Sequence, residues 1–273
     1  FRRVLFRSAF GLSSGLEYEE AHFSTTEEVI ELAKVAGAAG GSYISHVRDE
    51  GLKVFDAFDE LMRIGREAKL PVQITHIKLG APDTWRLAAA RMPAYFERAA
   101  REGIDLRADV YPYTYWYSTI RVLVPDRAFF DPQKVAAGIK NNGGAGNIRL
   151  ARYTPDPRIA GKTLAEIAAF WGVSEVDAYM RLVRETMGEL VAGGEMESII
   201  GTSMHEDDVR WFVAHPQVAF CSDGELHGAH PRGAGTFPRI LGRYVREQDA
   251  LSLESAVDRK STRLNSSHEW ISR

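Results

Sequence analysis

The sequence predicts a parallel α/β fold, and three apolar runs carry that prediction. Ser42-Tyr43-Ile44-Ser45-His46, Val72-Gln73-Ile74-Thr75-His76 and Val218-Ala219-Phe220-Cys221-Ser222-Asp223 are each long enough for one buried strand. Segments of helical periodicity separate them, and regular alternation of strand with helix is the pattern of a parallel sheet. Each run also ends on a residue able to do chemistry. His46 and His76 are 30 residues apart, about one strand-helix unit, so successive strands deliver two imidazoles and then Asp223 to one rim. Imidazole ligates zinc and a carboxylate moves protons, so the constellation reads as metal-assisted hydrolysis.

The elements follow in order. Ser24-Thr25-Thr26-Glu27 has the form of a capping box, and Val29, Ile30, Leu32, Ala33 and Ala36 recur at helical spacing up to Gly37. After the strand to His46, an amphipathic stretch from about Lys53 to Lys69 reads as helix, with Val54, Phe55, Phe58, Leu61, Met62 and Ile64 on one face. Pro71 turns the chain into the strand to His76. Helix is expected from about Thr84 to Glu102, and a strand over Ile104 to Tyr111. From Thr114 to about Gly201 the rhythm breaks at Pro125, Pro132, Pro155, Pro157 and Asn141-Asn142-Gly143-Gly144, with helices expected at Leu164–Trp171 and Val176–Leu190. This stretch reads as an insertion on the loop after the Tyr111 strand. Ser203-Met204-His205-Glu206 has the form of another capping box, and Phe237 to Arg246 is expected to be helical.

Both ends read differently from the middle. Residues 1–8 back-translate as a sequencing-library adapter and residues 258–268 as the same adapter in the other orientation, so 1–8 and 258–273 are expected to be adapter-derived. The whole chain has 34 Lys+Arg against 37 Asp+Glu, a net charge of −3. Leaving out Arg2, Arg3, Arg7, Arg259, Lys260, Arg263 and Arg273, with Asp258 and Glu269, gives 27 against 35, or −8. An acidic balance without a basic stripe argues against a nucleic-acid partner. The hydrophobic content of 45% suits one large α/β domain or a large piece of one. Cys221 is the only cysteine, so no internal disulfide forms. No apolar run approaches the ~20 residues of a membrane span. The expected setting is cytoplasmic, although the first residue is not a native start.

A histidine in an apolar stretch is more often a hydrogen-bonded core residue than a ligand; two at equivalent strand ends bring those readings level. Asp223, between Ser222 and Gly224, is by itself an ordinary turn aspartate. The surrounding motifs go further. His46 in SHVRDEG, His76 and Lys78 in VQITHIKLG, Tyr111 and Tyr113 in ADVYPYT, Asp223 in CSDGE, Arg232 in HPRGAGTFPRILGRYVRE and the early GLSSGLEY together resemble the D-aminoacylase (N-acyl-D-amino-acid deacylase) group of the amidohydrolase superfamily. The resemblance spans nearly all of residues 9–257, in order and at compatible spacing.

It implies a truncated (β/α)8 TIM-like barrel, retained from about the fourth strand to the eighth, with an insertion after the seventh at about 114–201. It implies zinc on His46 and His76 from the fifth and sixth strands, and Asp223 of the eighth as general acid/base. Lys78, Tyr111 and Arg232 would hold the substrate carboxylate; Ser118 and Tyr18 are assigned to substrate binding on the same basis. The implied reaction is zinc-dependent hydrolysis of an N-acyl-D-amino acid, a small-molecule substrate, with no nucleic acid or membrane involved.

The sequence also departs from that group. Its first-strand histidine pair and its cysteine ligand lie upstream of residue 9, so the chain alone is expected to be inactive. Cys221 belongs to the Asp223 strand and reads as a small buried residue. Tyr115-Trp116-Tyr117-Ser118 replaces the small hydroxyl residues common there, which implies an altered pocket. Gly161-Lys162-Thr163 resembles the end of a phosphate loop but lacks its upstream glycine and strand. His205-Glu206-Asp207-Asp208 reads as a helix start rich in acids. His22, His215, His227 and His230 have weaker claims. A hydantoinase- or dihydroorotase-like cyclic-amide hydrolase, or a barrel that has lost its metal and only binds, are the alternatives.

Overall fold

A computed structural model describes residues 10–18, 20–187, 196–225 and 228–260. Residues 1–8, the end of the expected Val176–Leu190 helix, His227 and the terminal segment from 261 lie outside the described residues. Five short strands lie side by side, all parallel: β1 Gly11–Gly15, β2 Ser42–His46, β3 Val72–Ile74, β4 Leu106–Val110 and, beyond an excursion described below, β8 Val218–Phe220. Each pairs with its predecessor, β4 with β8 through Ala108 opposite Val218, so the sheet order is β1-β2-β3-β4-β8. The expected parallel α/β fold is present as a five-stranded parallel sheet.

The helices between these strands follow their apolar stripes. α1 Thr26–Ala38 buries Val29, Ile30, Ala33 and Ala36. Its capping box is Thr25 with Glu28 rather than Ser24 with Glu27: Glu28 Oε2 accepts from Thr25 N at 2.7 Å and Thr25 Oγ1 from Glu28 N at 3.2 Å. The run STTEE offers both frames, and the later one is used. α2 Val54–Ala68 buries the expected stripe and stops where Lys69 turns left-handed at φ 55°. α3 Ala88–Arg101 begins later than expected, because Pro82–Thr84 forms a separate 3₁₀ turn. Its N-terminal amides are capped from outside: Asp208 accepts from Arg86 N at 2.6 Å and Ala88 N at 2.9 Å.

Between β4 and β8 the chain builds a second apolar cluster around Ile120, Val135, Ile148, Ile167, Tyr179 and Ile199. There β5 Tyr115–Ser118, β6 Ile148–Tyr153 and β7 Glu197–Thr202 form an antiparallel sheet in the order β5-β7-β6. α4 Pro132–Asn141, α5 Leu164–Trp171 and α6 Glu175–Thr186 accompany it. α7 Glu206–Ala214 then leads into β8. Its cap is His205, whose Nδ1 accepts from Asp207 N at 3.1 Å, because Ser203 is already engaged with Trp116 Nε1 at 2.6 Å. After β8 come α8 Arg232–Arg239 and a π-helical stretch Ile240–Glu247. The widening follows Pro238, which has no N–H for a regular turn. Arg259, in the segment whose codons read as adapter, is buried and donates to the carbonyls of His215, Val218 and Val213. Among the described residues no helix is long and apolar enough to cross a membrane.

Candidate active site

Parallel strands leave their C-terminal ends at one rim, and the three expected residues leave it in different ways. His46 is the last residue of β2. The strand before His76 does not continue as far as expected: β3 ends at Ile74, and His76 has a left-handed φ of 38°. A non-glycine residue in that conformation costs about 1–2 kcal/mol and persists only when its surroundings enforce it. Asp109 of β4 supplies the enforcement. Its Oδ1 accepts from His76 N at 2.7 Å, its backbone carbonyl from Ile77 N at 2.7 Å, and its Oδ2 from the Gln73 side chain. Asp223, beyond the end of β8, is also left-handed at φ 44°.

These turns bring the rings of His46 and His76 together, 4.6 Å between centroids, with His46 Nδ1 3.1 Å from His76 Nε2. Asp223 lines the same cavity of about 280 Å³, as do Lys78, Arg232, Ser118 and Tyr18. The Tyr18 ring lies 4.5 Å from that of His46. Tyr111 is buried under the rim with Arg232 4.9 Å from its ring, and its hydroxyl has no hydrogen-bond partner. Burial raises the Tyr111 and Tyr18 phenols above their usual range.

Two carboxylates that the sequence reading passed over complete the site. Glu17 Oε2 lies 2.7 Å from His46 Nε2. Glu50 Oε1 lies 3.1 Å from His76 Nδ1 and 2.8 Å from Lys78 Nζ. Burial alone would raise the Glu50 carboxyl, but His46, Lys78 and His76 outweigh it and hold it well below the usual carboxylate range. At Glu17 burial wins over the single histidine partner, and its carboxyl is raised. Burial, then the Lys78 ammonium, lowers the His76 imidazole. Both glutamates stood inside quoted motifs, SHVRDEG and GLSSGLEY, yet nothing local marks a loop glutamate as inward-facing.

The donor set fits a metal ion. His46, Glu50 and His76 are all buried and mutually close. Facing imidazole nitrogens 3.1 Å apart match two ligands of one ion, which at ~2 Å bonds lie roughly 3.3 Å from each other.

Arg232 behaves as a buried ion, not as a rim arginine paired with Glu225. Its Nη1 lies 2.6 Å from Asp223 Oδ2, its Nη2 3.3 Å from the Tyr117 carbonyl, and its Nε has no partner. Two glycines make this pairing possible. Gly224, after Asp223, and Gly233, after Arg232, lie backbone against backbone: a Cβ on Gly224 would fall 2.2 Å from Gly233 Cα. Lys78 is likewise engaged, with Glu50, with the His76 carbonyl at 3.0 Å and with His76 Nδ1 at 2.5 Å. Cys221 is half-buried, packed against the core, and its thiol is raised by burial.

Of the remaining histidines, His215 stacks between Phe96 and Trp211, each 4.6 Å away. His230 supports the Arg232 segment: Nε2 donates to the Tyr115 carbonyl at 2.8 Å, and Nδ1 accepts from Arg232 N at 3.0 Å. Only the neutral ring satisfies both, and burial pushes its pKa down to about 4. Unfolded histidine titrates near ~6.5, so between these values the unfolded chain binds the extra proton and stability falls with pH. Urea titrations should show wild type losing up to about 3 kcal/mol more than His230→Gln between pH 7 and 4. Parallel pH profiles for the two proteins would rule this out.

No family model matches the chain. Its fold is nevertheless that of part of the solved amidohydrolase structures it matches. More particularly, the chain is 36% identical over 251 residues to the N-acyl-D-glutamate deacylase of Alcaligenes xylosoxydans xylosoxydans, covering 91% of this chain and 45% of that protein. It is 34% identical to the D-aminoacylase of the same organism, again over 91% of this chain and 46% of the relative. Among solved structures, N-acyl-D-glutamate deacylase from Bordetella bronchiseptica, complexed with zinc and a phosphonate mimic of the tetrahedral intermediate, superposes with TM-score 0.81 at 30% identity. The match covers all of this chain and 52% of that one. A D-aminoacylase described as defining a novel subset of amidohydrolases gives TM-score 0.78 at 30% identity, over 97% of this chain and 50% of its own. The chain thus resembles the D-aminoacylase group and spans about half the length of the curated relatives it matches.

Proposed function

We propose that the chain carries the C-terminal half-site of a zinc-dependent N-acyl-D-amino-acid deacylase, releasing a carboxylate and a free D-amino acid. The observation that carries the reading is the facing pair His46 Nδ1 and His76 Nε2, with Asp223 and Arg232 in the same cavity. His46 and His76 would hold the ion. Zinc, when bound, would polarise the amide carbonyl and bring the pKa of water toward ~7. Asp223 then accepts the water's proton and passes it to the leaving amine. A carboxylate suits both transfers, since it takes the proton as base and returns it as acid.

Arg232 answers the feature that separates an N-acyl amino acid from a simple amide, the free α-carboxylate. Its unpartnered Nε and planar fork suit a charge-assisted clamp, with the Tyr111 hydroxyl a second unpaired donor. The single cysteine and lack of disulfides suit a reducing, cytoplasmic setting.

The test uses the protein completed to the length of its relatives, assayed on N-acetyl-D-amino acids, their L-enantiomers and hydantoins. Turnover of the D-series alone supports the reading; turnover of hydantoins instead replaces it with cyclic-amide hydrolysis. In the same protein Arg232→Lys keeps the charge but loses the fork. It should lower kcat/KM for the N-acyl amino acid by roughly tenfold, about 1.4 kcal/mol. A matched carboxamide substrate should be spared, and equal damage to both would make Arg232 structural.

A further inference from the structure

We propose that the site takes aliphatic acyl groups of the fatty-acid type, the near end of the chain in the cavity already described and the remainder in a second cavity that opens from it; the proposal rests on the deacylase reading above. The second cavity measures about 490 Å³, against about 280 Å³ for the first. Leu52 and Asn141 line both, so the two meet at the loop that follows His46. Leu52 is 48% exposed there, an aliphatic side chain held at the junction and not in the core. Beyond it the walls are Pro82, Ala136, Ile139 and Val176. One stretch of wall is bare backbone. Gly143 and Gly144 stand at φ 83° and 93°, where glycine alone sits without strain, and a Cβ on Gly144 would meet nothing within 4 Å.

Of the parts of an N-acyl amino acid, the acyl chain is the one that fits this space. The scissile carbonyl sits at the His46–His76 pair in that reading, and Arg232, held by Asp223 and the Tyr117 carbonyl, draws the α-carboxylate to its own side. Among the described residues, none of β5 and none of the Asp223–Arg232 segment lines the second cavity, which therefore lies away from the carboxylate end. The acyl chain leaves the carbonyl on the side opposite the amine, toward Leu52. Charge agrees with this. Asp83 and Glu175 against Lys140 leave the second cavity with one negative charge in excess, which disfavours an acidic side chain and is indifferent to an alkyl chain. Each methylene moved from water onto apolar walls favours binding, and contacts remote from the reacting bond raise kcat/KM.

The test uses the protein completed to the length of its relatives, with one D-amino acid carrying acetyl, butyryl, hexanoyl or octanoyl groups. kcat/KM should rise about two- to fourfold for each methylene that enters the second cavity, so that octanoyl exceeds acetyl by about tenfold or more. Ala136→Trp, at an exposed position of α4, fills the cavity and should bring the octanoyl-to-acetyl ratio back near one. Leu52→Asp sets a charge at the junction and should lower the ratio by a different route, which keeps the comparison if the tryptophan disturbs α4. A ratio near one in wild type, or a raised ratio that both variants leave intact, overturns the proposal. A gain that follows side-chain length across N-acetyl-D-alanine, N-acetyl-D-norvaline and N-acetyl-D-2-aminooctanoate, and not acyl length, gives the cavity to the amino acid and overturns it as well. No turnover of any member of either series removes the deacylase reading itself, and is recognised before any chain lengths are compared.

Discussion

Asp223→Asn, made in the protein completed to full length, should keep its fold and its zinc on His46 and His76 yet lose turnover by about 10³-fold, near 4 kcal/mol. An amide cannot carry the proton between water and leaving amine. Asp223 also accepts from Arg232 at 2.6 Å. An asparagine oxygen can still take that hydrogen bond, so the substitution separates proton transfer from the placement of Arg232. Metal content, thermal melting and kcat on one N-acetyl-D-amino acid are the measurements. Near-wild-type kcat with zinc in place would remove Asp223 from the proposed chemistry.

The second large effect is expected at a residue with no side chain. Gly224→Ala should destabilise the chain by about 4 kcal/mol or more, because the new Cβ meets the Gly233 backbone at 2.2 Å and neither strand of contact has a flexible end to yield. Gly146→Ala is the control, since a Cβ there meets nothing within 4 Å. Differential scanning calorimetry of both variants decides the matter. Equal melting temperatures would mean that the Asp223 and Arg232 segments can part without cost.

How much of this was legible beforehand depends on whether the signal was local. The strands to His46, His76 and Asp223 are short apolar runs, and α2 is a regular stripe, so periodicity sufficed for the parallel sheet and for the rim. The resemblance of the motifs supplied the barrel. What failed was tertiary. The start of α3 depends on Asp208, more than a hundred residues away, and the frame of α7 depends on Ser203 bonding Trp116. Glu17 and Glu50 matter only because two loops fold over the histidines, and sequence spacing alone gives no sign of that. Lys78 was assigned to the substrate carboxylate; the left-handed turn at His76 instead brings its ammonium back onto its own neighbour. Arg232 was assigned to the same carboxylate, and its partner here is Asp223.

The glycine contact has a bearing on how such a site can evolve. Gly224 and Gly233 hold the Asp223 carboxylate against the Arg232 guanidinium, so neither can be re-aimed without dismantling the other's support. On the proposed reading, changes in substrate range would come instead from the other lining residues of the cavity, among them Trp116, Val122, Leu123 and Pro125, contributed by the excursion between β4 and β8. Of these, Val122 and Pro125 are the freer to vary, since Trp116 also bonds Ser203 and Leu123 is buried in the second apolar cluster. Libraries aimed at new acyl groups or side chains belong at those two positions, with the loops carrying Asp223 and Arg232 left untouched.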